Sequence, residues 1–405
     1  MMNIRSMIIS CYAAFVSLIG WLMSGVKPRE NQVTLLVSFQ ENAAALIDTY
    51  QQQANMTMKL TVLYTKHASA IEKDGSHLSF RYFHEKNPLH LIQCIYTMFK
   101  SKVVVTDNYF LMTSVLRKRP STTCIQVWHA NGALKKFGLE DASNSERSPR
   151  DIKRFKRVYA SFDYIVTGSD HMREIFKSSF GVNDERFLPT GVPMTDVYYD
   201  QCLPSLRPND FPKGKKLLLY APTYRDFAMD DLVLPFSKEQ LQTELNGDYI
   251  LLVKLHPSVK HLAKAETDGE WIFDVSDQPL YPLLCTCDVL MTDYSSIVFE
   301  YALLEKPVLF FTYDLDTYRA KRGLVDRYED IIPGKACVTQ DMLLKELLHL
   351  NESDHRERIK TFAEEWNQYS KGESSQQLLS FIEQQLLHKK TSGFSLGSTD
   401  VFYLL

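Results

Sequence analysis

Residues 288–314 read DVLMTDYSSIVFEYALLEKPVLFFTYD and contain a complete strand–helix–strand pattern. DVLMTDYSS (288–296) is an apolar run that ends in hydroxyl-bearing residues, and PVLFFTYD (307–314) is a second short apolar run. The segment that starts at Ile297 resembles the beginning of a helix, because a serine directly before it can cap the first turn. Two strands joined by a helix predict a parallel sheet, and such sheets bind ligands at the carboxyl ends of their strands.

The same alternation extends over most of the chain. Further strand-type runs are VTLLVSF (33–39), MKLTVLYT (58–65), KVVVTDN (102–108), TTCIQVWHA (122–130), FDYIVTGSD (162–170), LLLYAPTYR (217–225) and DYILLVKLHP (248–257). Helix-type segments such as ENAAALIDTYQQQ (41–53) and NPLHLIQCIYTMFK (87–100) lie between them, the latter with Asn87 as a plausible cap. The sequence therefore predicts an α/β protein with two parallel-sheet units in tandem and a cleft between them.

The domain boundaries follow from composition and from a length of 405 residues, which suits two ordinary α/β domains. We predict an apolar N-terminal helix within residues 1–30, a first domain over 31–202, a Pro-rich linker over 203–216, a second domain over 217–388 and a tail over 389–405. The last helical stretch, around 352–388, could pack back across both halves.

Composition narrows the class of protein. Hydrophobic residues are 45% and charged residues 23%, the balance of a packed globular protein. The net charge of −3 argues against a dedicated nucleic-acid binder. The seven cysteines contain no CxxC pair, which gives no support to a zinc site or a disulfide framework and fits a reducing compartment. The sequence also contains no GxxxxGK[ST] and no GxGxxG, the motifs of P-loop hydrolases and of ordinary dinucleotide binding.

Residues 7–26, MIISCYAAFVSLIGWLMSGV, form an uncharged run of about 30 Å as a helix. We expect a retained membrane helix that either spans the bilayer or lies in its interface. A cleaved signal peptide and a buried core helix are the alternatives. Lys27 and Arg29 favour a cytoplasmic location for the chain that follows.

A basic helix is predicted around residues 150–157, RDIKRFKR. A solvated helix face is the simplest interpretation. With an apolar helix upstream, contact of Lys153, Arg154, Lys156 and Arg157 with anionic lipid headgroups is the alternative.

The strand that ends in Trp128-His129 delivers a histidine to the predicted ligand-binding edge, followed by Asn131 and Gly132. A histidine there can act as a general base because its pKa lies near neutral pH. A hydrogen-bonded structural histidine is the alternative. Trp128, Asn131 and Gly132 are candidate residues of the acceptor side of the cleft.

Three further strand ends carry candidate phosphate ligands. Lys254 and His256 share one strand face, although an edge-strand lysine beside a half-buried histidine is an alternative. Ser295 and Ser296 could bind phosphate or simply cap a helix, with Glu300 one turn later as a polyol ligand. The remaining donor-site candidates are Thr223, Arg225 with its bidentate fork, Asp293, and Gly191 in a tight turn.

Together, WHANGALKKFG, TGVPMTD, APTYR, KLHP, MTDYSSIVFEYALLEKPVLFFTYDLDTY and RGLVDRYEDIIPG resemble the CDP-glycerol glycerophosphotransferase family of teichoic-acid synthesis. The resemblance covers roughly residues 100–375, and the chain length is similar to that of the single-module primases. It implies a GT-B-like pair of Rossmann-type domains, with CDP-glycerol held mainly by the second domain, and neither a cofactor nor a metal. It also implies an acceptor disaccharide on undecaprenyl diphosphate at the cytoplasmic face of the cell membrane.

The resemblance assigns roles residue by residue. His129 matches the base that deprotonates the acceptor hydroxyl, and His256 matches a histidine near the donor phosphates. Arg225, Ser295, Ser296 and Glu300 match donor-binding positions. Glu300 stands where many relatives have aspartate, and Ala130-Asn131 depart from the small residues and threonine common after the histidine.

Four other functions stay open from the sequence. A CDP-ribitol-using transferase and a chain-extending polymerase have the same motifs. A GT-B glycosyltransferase with a nucleotide-sugar donor has the same fold, and a membrane-bound lectin-like scaffold would need no chemistry at all.

Overall fold

The protein is described here by a computed structural model in which residues 4–53, 57–71, 75, 77–199, 211–225, 234–245, 247–256, 259, 267–350 and 353–387 are placed. It divides into two compact units. The N-terminal unit comprises Met1–Asn131, Gly138–Tyr199 and Gln368–Leu405, and the C-terminal unit comprises Gly132–Phe137 and Asp200–Asn367. Most of the predicted linker (203–216) and all of the predicted tail (389–405) lie outside the described residues.

The sheet of the N-terminal unit is parallel, with the strand order β3-β2-β1-β4-β5-β6-β7 within the described residues. Its strands are β1 Arg29–Val37, β2 Lys59–Tyr64, β3 Leu78–Tyr82, β4 Ser101–Thr106, β5 Thr123–Gln126, β6 Tyr164–Val166 and β7 Phe187–Leu188. The central strands are runs of buried Val, Leu and Ile, as expected of a parallel sheet covered on both faces. The strand order reverses direction at β1 and β4, so the ends of these strands and of β5 lie beside a topological switch point.

The sheet of the C-terminal unit is also parallel, and the described strands follow the order β10-β9-β8-β11-β12-β13. They are β8 Lys216–Tyr220, β9 Tyr249–Val253, β10 Ile272–Asp274, β11 Val289–Thr292, β12 Val308–Phe311 and β13 Ala336–Cys337. The switch point lies at β8 and β11, which carry the APTYR and TDYSS motifs at their carboxyl ends. The predicted α/β architecture of two parallel-sheet units is therefore confirmed.

Thirteen α-helices are present among the described residues, and short 3-10 helices connect several strands. The α-helices are α1 Ile4–Leu22, α2 Gln40–Gln52, α3 Pro88–Phe99, α4 Pro149–Tyr159, α5 Asp170–Phe180, α6 Lys238–Glu244, α7 Leu280–Thr286, α8 Ile297–Tyr301, α9 Leu315–Arg322, α10 Tyr328–Ile331, α11 Gln340–Leu348, α12 Ser353–Trp366 and α13 Ser374–Leu387. The 3-10 helices are Lys66–Ile71, Leu111–Lys118, Gly138–Glu140, Ala142–Glu146, Asp184–Arg186, Pro193–Tyr199 and Ala302–Leu304. Asn87 caps α3 as expected, because its Oδ1 accepts from Leu89 N at 3.0 Å.

The end of the described chain belongs to the N-terminal unit. The predicted helical stretch around 352–388 consists of two helices, α12 and α13, and α13 packs against α2 and against strands β1 and β4. The prediction gave residues 217–388 to the second domain, whereas the contacts place residues 368–387 with the first unit. The apolar face of α13, with Leu378, Leu379 and Ile382 buried, accounts for this difference.

The N-terminal apolar run forms helix α1, which packs against the 3-10 helix Leu111–Lys118 and against α3. Val16 is fully buried and Gly20 lies directly against Val115, so one face of α1 is covered by its own unit. No helix among the described residues is both long enough and apolar enough to cross a bilayer. The expected spanning helix is therefore not supported by the structure.

Candidate active site

His129 lies three residues beyond the end of β5, on a segment that the sequence pattern had assigned to the strand itself. Its ring stacks between Phe39 and Trp128, with ring centroids 4.4 and 4.3 Å away. Its Nδ1 lies 3.1 Å from the main-chain carbonyl oxygen of Asp107. A carbonyl oxygen only accepts hydrogen bonds, so the proton resides on Nδ1 and the basic lone pair on Nε2. The imidazole is thus held in one orientation and in the tautomer that a general base requires.

Asp107, at the end of β4, organises this histidine from both its main chain and its side chain. Its carboxyl group accepts hydrogen bonds from Ser38 N at 2.8 Å and from Phe39 N at 2.7 Å. These bonds fix the turn after β1 that carries Phe39, whose ring covers His129. Burial raises the pKa of Asp107 to about 7, although the hydrogen bonds from Phe39 and Ser38 oppose the shift. Asp107 therefore connects the ends of three strands, β1, β4 and β5.

Trp128 has a left-handed backbone conformation, with φ of 60°, which a bulky residue rarely adopts. Hydrogen bonds hold it there: Gln126 Oε1 accepts from Trp128 N at 2.8 Å, and Asn42 Nδ2 donates to Trp128 O at 3.0 Å. The indole also packs edge-on against Phe180 at 5.4 Å. This unusual turn directs the chain so that the His129 ring lies over Phe39.

Asn131 and Gly132, the other two residues predicted to lie on the acceptor side, belong to different units. Asn131 is fully buried in the N-terminal unit. Gly132 belongs to the C-terminal unit, where a Cβ atom would lie 2.6 Å from the Phe299 ring. The glycine is therefore required by close packing on Phe299, a role independent of any acceptor.

Arg225, predicted to bind phosphate through its fork, is already occupied by protein carboxylates. Its Nε and Nη2 each lie 2.9 Å from an oxygen of Asp314, and Nη1 lies 2.7 Å from Asp293 Oδ2. The side chain is 8% exposed, and its guanidinium also lies over the Tyr313 ring at 5.1 Å. Burial alone would lower the pKa of Arg225, but Asp314 and Asp293 outweigh it and raise that pKa. Arg225 therefore connects the ends of β8, β11 and β12 through its ion pairs. Its guanidinium nitrogens are already bound by protein carboxylates and are not open to a phosphate.

Asp293 is also fully engaged by the protein. Its Oδ1 accepts from Thr223 N at 2.8 Å and from Tyr294 N at 2.6 Å, while Oδ2 binds Arg225. These contacts explain the buried acidic residue of the TDYSS motif as a loop organiser. Thr223 differs, because its hydroxyl is buried and has no hydrogen-bond partner among the described residues.

The hydroxyl-rich turn precedes the short helix α8, as predicted, but it caps that helix weakly. Ser296 is the residue before the helix and makes no side-chain cap bond, while Ser295 Oγ lies 3.5 Å from Ile297 N. Both serines are half-buried. Glu300, expected to bind a polyol, is 4% exposed, so it lies within the packed core of the unit at the base of this turn.

Lys254 and His256 follow the end of β9 but have different surroundings. Lys254 Nζ donates to the carbonyl oxygens of Gln278 at 2.6 Å and Ser276 at 3.2 Å. Burial lowers the pKa of Lys254, against the opposing charges of Asp277 and Asp274. His256 is exposed and stacks on the Tyr224 ring at 4.7 Å. Of the two, His256 is the one presented to solvent.

Gly191 was predicted to bind the donor, yet it lies in the N-terminal unit. It has φ of 75°, and a Cβ atom there would lie 2.4 Å from Ser374 Oγ and 2.6 Å from Tyr369 O. The glycine allows the segment after α12 to approach the turn closely, which is a packing role.

The cations predicted to contact lipid separate into two groups. Lys153, Lys156 and Arg157 are exposed on α4. Arg154 is 8% exposed, forms an ion pair with Asp151, and its Nη1 lies 3.4 Å from Ser10 Oγ of α1. Arg154 therefore connects α4 to the N-terminal helix and does not face solvent.

The uncovered face of α1 is mostly apolar. Its exposed large hydrophobic side chains are Met7 (48%), Ile8 (62%), Leu18 (51%), Trp21 (71%) and Leu22 (62%). Helix α4, which carries the exposed cations, thus contacts α1, which carries the exposed apolar side chains.

Several residues of the site were not singled out by the sequence analysis. Asp107 appeared only as the polar end of a strand, and Phe39 only as the last residue of a run. Asp314 could have been predicted, because it ends the apolar run 307–314 and a buried arginine at the same sheet needs a carboxylate. Among the described residues, no group of three or more His, Cys, Asp and Glu side chains is arranged to hold a metal ion.

Two parallel-sheet units, one with a histidine held beyond a strand end and the other with a charged strand-end cluster, are an arrangement found in two-domain α/β enzymes. The chain belongs to the CDP-Glycerol:Poly(glycerophosphate) glycerophosphotransferase family, whose match covers residues 21–384. It is therefore an enzyme of the CDP-glycerol transferase class, and the family resemblance of its motifs is confirmed.

Individual relatives support this family assignment. The chain is 49% identical over 382 residues to the teichoic acid glycerol-phosphate primase of Bacillus subtilis strain 168, covering 94% of this chain and 99% of that protein. It is 33% identical over 270 residues to the teichoic acid poly(ribitol-phosphate) polymerase of Bacillus spizizenii strain W23, covering 64% of this chain and 43% of that protein. The structure of the wall teichoic acid polymerase TagF superposes with a TM-score of 0.74 at 23% identity, covering 95% of this chain and 96% of that chain. The last comparison shows a shared fold.

Proposed function

We propose that this enzyme catalyses a priming step of wall teichoic acid synthesis. It transfers one glycerol phosphate from CDP-glycerol to a disaccharide carried on undecaprenyl diphosphate and releases CMP. Similarity over nearly the full length of a glycerol-phosphate primase supports priming over chain extension, since the polymerase match covers less than half of that protein. The alternatives from the sequence, a CDP-ribitol donor and a polymerase, are outcomes of the test below.

The observation that carries the mechanism is the fixed tautomer of His129. With Nδ1 bound to the Asp107 carbonyl at 3.1 Å, Nε2 accepts the proton of the acceptor hydroxyl. The hydroxyl oxygen attacks the phosphorus that bears glycerol, and the bond from this phosphorus to the bridging oxygen breaks. CMP leaves with the electron pair of that bond, and the proton stays on His129 until solvent removes it.

On the donor side, His256 is the candidate group beside the phosphates, because it is exposed and its ring plane is set by stacking on Tyr224. Ser295 and Ser296 supply hydroxyls at the switch point of the same unit. Lys254 and Arg225 do not contact the phosphates in this scheme. Their hydrogen bonds hold the neighbouring loops in position. No metal is needed in this scheme, in which protein cations and hydroxyls neutralise the phosphate charge.

The lipid-linked acceptor requires the enzyme to act at the membrane, and α1 with α4 forms a suitable surface. Exposed Trp21 and Leu22 suit insertion into the interface, and exposed Lys153, Lys156 and Arg157 suit anionic headgroups. We assign this surface to the cytoplasmic face of the cell membrane. An interfacial helix fits the half-covered α1 better than a spanning one.

The test is the product formed with excess CDP-glycerol and a lipid-linked disaccharide, analysed by mass spectrometry. Addition of one glycerol phosphate per acceptor, with one CMP released, is the expected result. A ladder of products would indicate a polymerase, and turnover of CDP-ribitol but not CDP-glycerol would indicate the ribitol enzyme. A UDP-sugar as the preferred donor would overturn the proposal.

A further inference from the structure

The segment that follows the active-site histidine is built into the C-terminal unit. Residues 134–136 pair antiparallel with residues 323–325: Lys135 bridges Leu324, Val325 N donates to Leu134 O at 3.1 Å, and Lys136 N donates to Gly323 O at 3.3 Å. Leu134 is fully buried. The main chain on both sides of Lys135 is thus fixed beside the end of α9.

Two adjacent lysines on this segment have contrasting surroundings. Lys136 forms an ion pair with Asp326 at 2.8 Å and points to the surface. Lys135 is half-buried, and within the described parts of the chain its ammonium has neither a hydrogen bond nor an ion pair. Burying part of an ammonium without a partner costs free energy, so such a group is unusual unless it has a ligand.

Among the described residues, the carboxylate that acts on Lys135 is already bound by other groups. Asp293 acts on it electrostatically, but both oxygens of Asp293 are engaged by Arg225 and by main-chain N–H groups. Arg322 and Arg225 add positive charge, and burial lowers the pKa of Lys135. Lys135 therefore lies beside two further cations, Arg322 and Arg225, and the one carboxylate that acts on it is shared with Arg225.

A second, independent feature lies at the same strand ends. The Thr223 hydroxyl is buried and has no hydrogen-bond partner among the described residues, while Thr223 N binds the same Asp293 that acts on Lys135. The Thr223 hydroxyl and the Lys135 ammonium thus have no partner among the described residues, and both residues interact with Asp293. A phosphate oxygen can accept hydrogen bonds from both groups.

We propose that Lys135 is a donor-binding residue that, together with the Thr223 hydroxyl, binds the diphosphate of the cytidine-activated donor. This inference rests on the proposed function for the identity of the donor. Lys135 thereby takes the phosphate-binding role that the sequence predicted for Arg225. Arg225 instead holds the loops after β8, β11 and β12 in position.

The experiment is isothermal titration of CDP-glycerol into the full chain and into Lys135→Met, with Lys136→Met as the matched control. Loss of a charge-assisted contact should weaken CDP-glycerol binding by about 10–100-fold in Lys135→Met. Lys136→Met should bind within about twofold of wild type. Lys135→Arg should recover part of the affinity, and Thr223→Val should weaken binding in the same direction.

A thermal melt without ligand separates binding from structure. Since the ammonium has no partner among the residues that the structure describes, Lys135→Met should melt at or above the wild-type temperature. CDP-glycerol affinity equal to wild type in Lys135→Met, or a Tm several degrees below wild type, would overturn the inference. Failure of the wild-type enzyme to bind CDP-glycerol would instead overturn the proposed function.

Discussion

His129 Nδ1 lies 3.1 Å from the main-chain oxygen of Asp107, and the carboxyl group of that same Asp107 binds the main chain of Phe39, whose ring covers His129. One residue thereby fixes the tautomer of the histidine, its orientation and one wall of its surroundings. Support of this kind is what holds a base ready for proton transfer.

The raised pKa of Asp107 predicts a pH-dependent stability. Burial raises this pKa to about 7, so between about pH 4 and 7 the folded protein keeps a proton that the unfolded chain has released. Stability contributed at low pH is therefore lost as the pH rises through this window. Asp107→Asn has no such ionisation. As the pH rises from 4 to 8, the unfolding free energy of wild type should therefore fall relative to that of the variant by up to about 4 kcal/mol.

Urea unfolding of wild type and Asp107→Asn at a series of pH values from 4 to 8 measures this shift. Parallel curves for the two proteins would show that Asp107 ionises normally in the fold. The same variant should also lower turnover, because the turn that carries Phe39 loses part of its support.

Arg225 should behave as a structural residue. Removing it in Arg225→Ala leaves Asp293 and Asp314 buried without their cation, which should cost about 3–5 kcal/mol of stability. Calorimetric melting of Arg225→Ala should show a clearly lower Tm, whereas Arg327→Ala, at an exposed pair with Asp330, should melt almost as wild type does.

A double-variant cycle sharpens this prediction. Asp314→Asn should cost less in the Arg225→Ala background than in wild type, since the partner of Asp314 is already absent. Additive costs would mean that the pair contributes nothing and that Arg225 is free for another role.

The sequence predicted the two parallel sheets because their central strands are continuous apolar runs with polar ends. It did not predict β3, whose residues are mostly exposed, or β7, β10 and β13, which are only two or three residues long. Edge strands of this kind have no distinct hydrophobic pattern.

The sequence predicted site residues where a polar or titratable side chain ends an apolar run, as for His129 and the 295–296 turn. The partners of Arg225 lie 68 and 89 residues away in sequence, so its neutralisation depends on the tertiary fold. The assignment of Arg154 to the lipid surface did not consider Asp151, three residues earlier on the same helix, which binds it.

Membrane binding should depend on the exposed cations of α4. Replacing Lys153, Lys156 and Arg157 with glutamine should weaken binding to vesicles with anionic lipid, most strongly at low salt, because each cation contributes about 1 kcal/mol. The charge-matched control Lys59, Lys66 and Lys86→Gln, at exposed positions of the same unit, should bind as wild type does. Sedimentation with vesicles measures both.

Trp21→Ser tests the apolar face of α1 in the same assay. It should reduce binding at all salt concentrations, since the burial of the 71% exposed indole does not depend on charge. Equal loss in the control triple variant, or no loss in any variant, would refute the assignment of this surface.

The most direct test of the account is single-turnover CMP release by His129→Asn. The asparagine amide can still donate to the Asp107 carbonyl, but it has no basic nitrogen. With CDP-glycerol and the lipid-linked disaccharide, the rate should fall by about 10²–10⁴, while the Kd for CDP-glycerol stays within about twofold of wild type. His171→Asn, an exposed histidine of α5, should leave both values unchanged. A His129→Asn rate near that of wild type would contradict the role of His129 as the general base.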